Sequence, residues 1–408
     1  MQSTEQFLRL KFQQYYRAHA VSAPLKIGQR EFGVGTFGKK ISMRHLAFAD
    51  SNELNGFLRN EVPFYISYSC AYYKYPEMQP MNAKHFLQAD LVYEFDADDL
   101  QTECRQEHDS WKCVKCGASG KGTIENCTKC GAHTLKEEWV CSKCLNETKK
   151  QSLRLIGFLR DDFDFSEGIE VNYSGSKGFH IHVNNEKALQ LSQNARTELI
   201  DYLSANGIMQ KNLGFDTESK MFSCPLPGKA KGWQKKIIDW ILGKMENSDS
   251  EELALYGGVS NALAKKLITM RSTIISGISS GMLYQFPGSK AEAFWNSLIA
   301  SAIDSLKLGI DRQTSIDLHK IIRLPETLHG GTGLVAKKIP LEKLAEFDAL
   351  RECISFSGDE VKVKAIAEIP EFELNARKFG KFNANEEIKI PEYAAIYLLA
   401  RNAAQLAE

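Results

Sequence analysis

Seven of the ten cysteines fall between residues 104 and 144. Their spacing is Cys104-x3-His108, then Cys113-x2-Cys116, Cys127-x2-Cys130 and Cys141-x2-Cys144. A CxxC pair on one tight turn presents two thiolates to one point, and tetrahedral zinc takes four Cys or His ligands. Eight candidate ligands therefore predict two zinc sites. Each ligand set is complete, with no open position, so both zincs are expected to be structural rather than catalytic. Two partitions satisfy the count. In one, the paired knuckles CVKCG and CTKCG supply Cys113, Cys116, Cys127 and Cys130, and Cys104, His108, Cys141 and Cys144 close a second site at the base. In the other the ligands are used sequentially, Cys104 to Cys116 and then Cys127 to Cys144. His133 is expected to be solvent-exposed, and Cys70, Cys224 and Cys353 to be small apolar core residues.

Clustered thiols of this kind belong to a reducing compartment. The first residues, MQSTEQFLRLKFQQYYRAHA, read as an amphipathic helix without the apolar core of a secretory signal. No run approaches the ~20 apolar residues of a membrane helix. A cytoplasmic protein with no membrane partner is expected. The 51 basic and 51 acidic residues cancel, so nucleic acid could be held only by local patches. With 408 residues, 43% apolar and 25% charged, the chain can bury two or three cores.

Periodicity divides the chain into 1–103, the zinc segment 104–145, 146–207, a mostly helical insertion 208–305, and 306–408. Residues 30–48 predict a hairpin with a Gly-Lys-Lys turn. Residues 151–163 and 188–207 have helical spacing, and 391–408 reads as a last helix in a helix-rich tail. The loop PLPGKAKGWQKK (225–236) offers Lys229, Lys231 and Trp233 either to nucleic acid or, as an ordinary loop, to solvent. The class expected is a mixed α/β (α+β) fold of sheets flanked by helices, with the zinc segment and the helical segment inserted.

Two stretches carry candidate chemistry. In VNYSGSKGFHIHV (171–183), Phe179, Ile181 and Val183 alternate with His180 and His182, which is strand spacing. Gly175 and Gly178 permit a sharp turn, and Ser174 and Lys177 place a hydroxyl and a charge beside it. The segment fits an anion site, most simply for phosphate, or an ordinary hairpin. In DLVYEFDADDL (90–100), Val92, Glu94, Asp96 and, if the strand runs on, Asp98 share one strand face and Leu91, Tyr93 and Phe95 the other. Acids two apart on one face repel, and a divalent cation relieves the repulsion. The alternative is an acidic strand end running into a loop. Asp311 is a candidate third carboxylate, because Lys320, Arg323, His329 and a Gly-Gly-Thr-Gly turn follow it; Asp317 reads as an exposed helix position.

An acid-x-Asp strand, a CxxC segment, an SGxxGxH turn, and Asp followed by RLPxxLHxxTG occur here in that order. In that order the chain resembles the catalytic small subunit of archaeal and eukaryotic DNA primases, the archaeal form most closely. The resemblance extends to Arg-Glu-Phe-Gly at 30–33 and Pro-Glu-Tyr-Ala-Ala at 391–395, and covers nearly the whole chain. It implies a nucleotidyltransferase that starts short RNA chains on single-stranded DNA with magnesium or manganese, nucleoside triphosphates and a large partner subunit. It assigns Glu94, Asp96 and Asp311 to the metals. It assigns Ser174, Lys177 and His180 to a phosphate-binding turn, and Lys320, Arg323 and His329 to the incoming nucleotide. His182 is expected in a supporting layer or at the surface.

Two residues depart from the family pattern. Glu94 stands where aspartate is usual, extending the carboxylate by about 1.5 Å. Lys177 stands where arginine is usual, keeping the charge but losing bidentate contact. Three other readings remain. One is a related primase-polymerase acting in repair or extension. Another is a non-catalytic zinc-ribbon nucleic-acid-binding protein, which leaves the acid-x-Asp and RLPxxLHxxTG segments without a role. The third is a hydrolytic phosphoesterase using the same metals.

Overall fold

The structure is a computed structural model that describes residues 3–100, 102–286, 290–310 and 312–407. These form two compact units. The first comprises 1–153, 167–196 and 309–408; the second comprises 154–166 and 197–308. The class is mixed α/β, and every strand pairing among the described residues is antiparallel.

In the first unit, alternating apolar and polar residues generate a four-stranded sheet. Its order is Lys338–Ile339, Ile169–Tyr173, Gly178–Val183, Leu91–Asp96. Residues directly opposite in an antiparallel pair point to the same side. The register therefore makes rows. Tyr93, Ile181, Val171 and Ile339 form an apolar row on one face, and Glu94, His180, Asn172 and Lys338 a polar row on the other. Gly178 faces Asp96 at the end of this sheet. A Cβ at Gly178 would lie 1.8 Å from the Phe95 carbonyl oxygen and 2.7 Å from Asp96 Oδ1, so only glycine allows the strands to close there.

A second four-stranded sheet has the order Ile321–Arg323, Tyr65–Ser69, Phe32–Thr36, Lys39–Leu46. A buried ion pair ties it to the first. Arg30 lies 2.9 Å from Asp90, at the entry to the acid-bearing strand. Arg30 also donates to the carbonyls of Ser69 and Cys70, both at 2.8 Å, and its guanidinium lies 3.5 Å from the Tyr72 ring centroid. Tyr72 donates to Asp90 Oδ1 at 2.8 Å, and Arg196 donates to the Ala89 and Asp90 carbonyls at 2.7 Å. Burial works against the charged form of Asp90. His182, Arg30 and Tyr72 outweigh it and hold the carboxyl below its ordinary pKa.

The cysteine segment forms a small sheet of Ser119–Lys121, Ser110–Cys113 and Thr134–Glu137. The helix after it, Ser142–Phe163, starts nine residues earlier than the 151–163 pattern predicts. Its first turns carry Cys144 and polar residues, and so lack the apolar stripe that marks the rest. The second unit is mostly helical, with Gly232–Asn247, Asn261–Thr269, Arg271–Ser279 and Lys290–Leu306. Its core includes Trp233, Ile237, Phe294, Trp295 and Leu298. Trp233 donates its indole N–H to the Tyr202 carbonyl at 2.9 Å, so it serves this core rather than a ligand.

Four further local expectations differ from the structure. The hairpin at 30–48 turns at Phe37–Gly38, with Gly38 at φ +73°, and its lysines open the second strand. The 188–207 helix is split by Ser192, whose hydroxyl accepts from the Ala195 N–H and starts a new helix at Gln193–Leu203. The C-terminal helix stops at Ala400, and Ala404–Leu406 adds a strand to Val361–Ala365. The tail before it is mainly strands, with a short helix at Ala349–Glu352. No described helix is long and apolar enough to cross a membrane.

Removing one partner of a buried ion pair leaves the other charge uncompensated, which costs about 3–5 kcal/mol. Arg30→Met should lose stability on that scale in urea unfolding. A loss under about 1 kcal/mol would show that Tyr72, His182 and the backbone suffice to hold Asp90.

Candidate active site and metal centres

The eight expected zinc ligands come together as two groups, each with its ligand atoms within 4.8 Å of one another. One is Cys113, Cys116, Cys127 and Cys130; the other is Cys104, His108, Cys141 and Cys144. The nested partition is the one formed; the sequential one is not. Sulfur separations of 3.5 Å for Cys113–Cys130 and 3.6 Å for Cys116–Cys127 approach the ~3.8 Å edge expected for thiolates 2.3 Å from one ion. Backbone N–H groups of Lys115, Cys116 and Lys129 point at the Cys113 and Cys127 sulfurs at 3.4 Å, as in metal-binding knuckles. In the second group His108 turns Nε2 toward the Cys144 sulfur at 3.1 Å, and its Nδ1 lies 2.8 Å from Asp109 Oδ1. A carboxylate behind a histidine fixes its tautomer and orientation for a metal. Both groups fit a tetrahedral, thiolate-preferring ion. His133 is exposed, and Cys70, Cys224 and Cys353 are buried, as expected.

The catalytic candidates gather in a cleft of about 350 Å³ in the first unit. Its wall includes Glu94, Asp96, Ser174, Lys177, His180, Lys320, Arg323 and His329, which is every nominated residue except Asp311. Asp311 lies outside the described residues. Asp317, the competing acid, is exposed just beyond the short helix Arg312–Ile316.

Electrostatics sets the state of each group. Burial, then Glu94, Asp98 and Asp99, push the Asp96 pKa up to about 7, against the pull of Lys177. Asp96 Oδ1 is buried and has no hydrogen-bond partner among the described residues. Glu94 is held on both sides, by Lys320 at 2.5 Å and by His180 Nε2 at 3.6 Å. Burial lowers His180 to about 4, the Glu94 charge only partly opposing it, so His180 is neutral near pH 7. His329 is pushed down too, by burial and then by Arg323, Lys40 and other cations. Arg323 lies 5.0 Å from the Tyr65 ring centroid. Its buried Nε–H has no hydrogen-bond partner among the described residues. A guanidinium N–H left open in a cleft wall suits an anion.

The Ser174–Gly178 turn is locked from within. Ser174 Oγ accepts the N–H groups of Ser176 at 3.3 Å and Gly178 at 3.2 Å. Gly175 has φ +78°, and a Cβ there would stand 2.8 Å from His329 Cβ. Thr332 donates its hydroxyl to the Gly175 carbonyl at 2.5 Å, and Gly331 donates its N–H to His329 Nδ1 at 3.2 Å. The two glycine turns are thus stapled together, and the second fixes the His329 ring. Lys177 is fixed as well, by Asp98 and Glu138, each at 2.7 Å. His182 is fully internal, near Asp90 and stacked on Tyr68, and not at the surface.

Sequence reasoning missed Lys40 and Ser67 in the cleft wall, the Thr332 staple and the Glu138 partner of Lys177. Thr332 stood inside the TG motif and was readable as a turn-former. Lys40 and Ser67 come from separate strands and Glu138 lies just past a third, and nothing local marks them.

Residues 131–340 match a family model described as DNA primase small subunit. The chain is 30% identical to the DNA primase small subunit PriS of Methanothrix thermoacetophila, over 99% of both chains. It is also 30% identical to that of Nitrosopumilus maritimus, over 98% of both. A third relative, from Thermoplasma volcanium, is 28% identical over 97% of this chain and 96% of its own. The chain belongs to the DNA primase small-subunit family. The family match includes Cys141, Cys144, the 174–180 turn and the RLPxxLHxxTG segment, and the full-length relatives extend it over the Glu94–Asp96 strand.

Proposed function

We propose that the chain is the catalytic subunit of a DNA primase, making short RNA primers on single-stranded DNA together with a larger subunit. The observation that carries this is the cleft, where a carboxylate with a pKa near 7 and an unpartnered oxygen faces cationic and neutral hydrogen-bonding groups. Such a wall is poorly balanced as it stands and suits a divalent cation with a triphosphate.

In this reading Glu94 and Asp96, with Asp311 as the third expected ligand, would hold magnesium or manganese, which supplies charge neutralisation and activation of the attacking oxygen. The chain's own groups do the remaining work. Arg323 and Lys320 bring fixed positive charge to the nucleotide phosphates. The ammonium of Lys177, in the cleft wall, is held at a pre-set position by Asp98 and Glu138. His180 and His329 act as neutral hydrogen-bonding groups, their rings held by the sheet and by the Gly331 N–H. Positioning and preorganised charge account for most of the rate in such transfers. We assign zinc to the two cysteine groups, in a structural role.

The deciding experiment is synthesis on unprimed single-stranded DNA with labelled ribonucleotides, with and without a large subunit. New short chains made by the wild type and absent from Asp96→Ala would support the reading. Extension of an added primer without initiation would favour the extending polymerase. Normal synthesis by Asp96→Ala would reject the metal assignment.

Asp96 also gives a pH dependence. Its folded pKa lies above the ordinary value, so the fold favours the protonated acid, and the ionised form costs stability as pH rises through about 7. A bound cation reverses this, because it takes the ionised form. The rise in Tm caused by manganese should therefore be larger at pH 8 than at pH 6. An equal rise at both values would mean that the ion binds elsewhere.

A further inference from the structure

A continuous chain of charged side chains runs from the cleft to the second cysteine group. Lys177 Nζ lies 2.7 Å from Glu138 Oε2. Glu138 Oε1 lies 2.8 Å from an Arg105 guanidinium nitrogen. Arg105 Nε donates to Asp109 Oδ2 at 2.8 Å. Asp109 Oδ1 accepts from the Trp139 N–H at 2.9 Å and lies 2.8 Å from His108 Nδ1. His108 then meets the Cys144 sulfur. A side branch returns from Arg105 to the Asp98 carbonyl at 2.6 Å, and the Asp98 carboxylate is the other partner of Lys177.

Two properties separate this chain from scattered surface ion pairs. Its members alternate in sign, so each is held from both sides, and each is at least partly shielded from solvent. Arg105 uses three nitrogens on three different groups, a geometry that lysine lacks. Arg105 and Glu138 also sit at the two ends of the excursion that forms the small cysteine sheet, just outside Ser110 and Glu137. They are therefore placed where the metal-stapled segment joins the catalytic sheets.

We propose that Arg105 and Glu138 are positioning residues for nucleotidyl transfer, joining the Cys104/His108/Cys141/Cys144 site to Lys177 in the active cleft. This rests on the primase reading. Neither residue lines the nucleotide cleft; both act through Lys177 and Asp98. The zinc segment then has a second role beyond stapling itself: it sets the place from which Lys177 meets the triphosphate. A preorganised charge needs no rearrangement when negative charge shifts during reaction, so its loss falls on kcat more than on KM.

The test uses full-length protein with its large subunit and compares Glu138→Gln, Arg105→Lys, Lys177→Met and the Glu138→Gln/Lys177→Met double variant. Zinc content, kcat and nucleotide KM are measured for each. Glu138→Gln and Arg105→Lys should keep two zincs and lower kcat about tenfold, with KM changed less than twofold. The double variant should be no slower than Lys177→Met alone, because Glu138 acts through that lysine. Unchanged kcat in both single variants, or losses that multiply in the double variant, would overturn the proposal. So would loss of zinc in both, which would make these residues props of the segment. A wild type that incorporates no nucleotide on any template would instead remove the primase reading, and this inference with it.

Discussion

Three carboxylates within five residues line one cleft wall: Glu94 and Asp96 on a strand that buries Leu91, Tyr93 and Phe95 on its other face, and Asp98 in the turn just after it. Much of the surrounding structure manages that repulsion. Lys320 takes Glu94, Lys177 takes Asp98, and Asp96 is left with a raised pKa and an unpartnered oxygen. The strand cannot slip to relieve the strain, because a one-residue shift would carry its aromatic side chains out of the core. The Arg30–Asp90 pair pins its entry, and the Gly178 contact pins its exit.

The same wall organises what lies around it. The Ser174–Gly178 turn is held by its own serine and by Thr332, so its backbone is set before any ligand arrives. The cysteine segment is anchored to this wall through Glu138 and Arg105 rather than hanging from it as a separate module. Hydrophobic burial supplies the stiffness, with the Tyr93–Ile181–Val171–Ile339 row backing the polar row of Glu94 and His180. On the function proposed, a stiff apolar sheet is what allows charges of one sign to be kept close in advance of the cation.

Local chemistry was legible in the sequence; long-range chemistry was not. The strand alternation at 91–96 and 178–183 states which residues share a face, and the structure has those faces. The CxxC spacings state that two four-ligand groups exist, but both partitions satisfy the spacing. The knuckle pairing across the small sheet decides between them. Helix ends were misjudged where the signal was a single polar residue. Ser192 restarts a helix that apolar spacing alone would carry through. The Asn402 backbone at φ +57° stands between the last helix and a final strand that nothing in AAQLAE announces. Lys40, Ser67 and Glu138 reach the cleft or its lysine only through folding, since each lies far along the chain from the groups it meets. The departures at Glu94 and Lys177 are explained in the same way, each meeting an oppositely charged group brought from elsewhere.

The most direct measurement is anomalous diffraction at the manganese edge from crystals grown with manganese and a non-hydrolysable nucleoside triphosphate. A manganese peak between Glu94 and Asp96, with the triphosphate against the Ser174–Gly178 turn and Arg323, is the expected result. A triphosphate bound away from that turn, or manganese bound without either carboxylate, would contradict the assignment of this cleft as the site of nucleotidyl transfer.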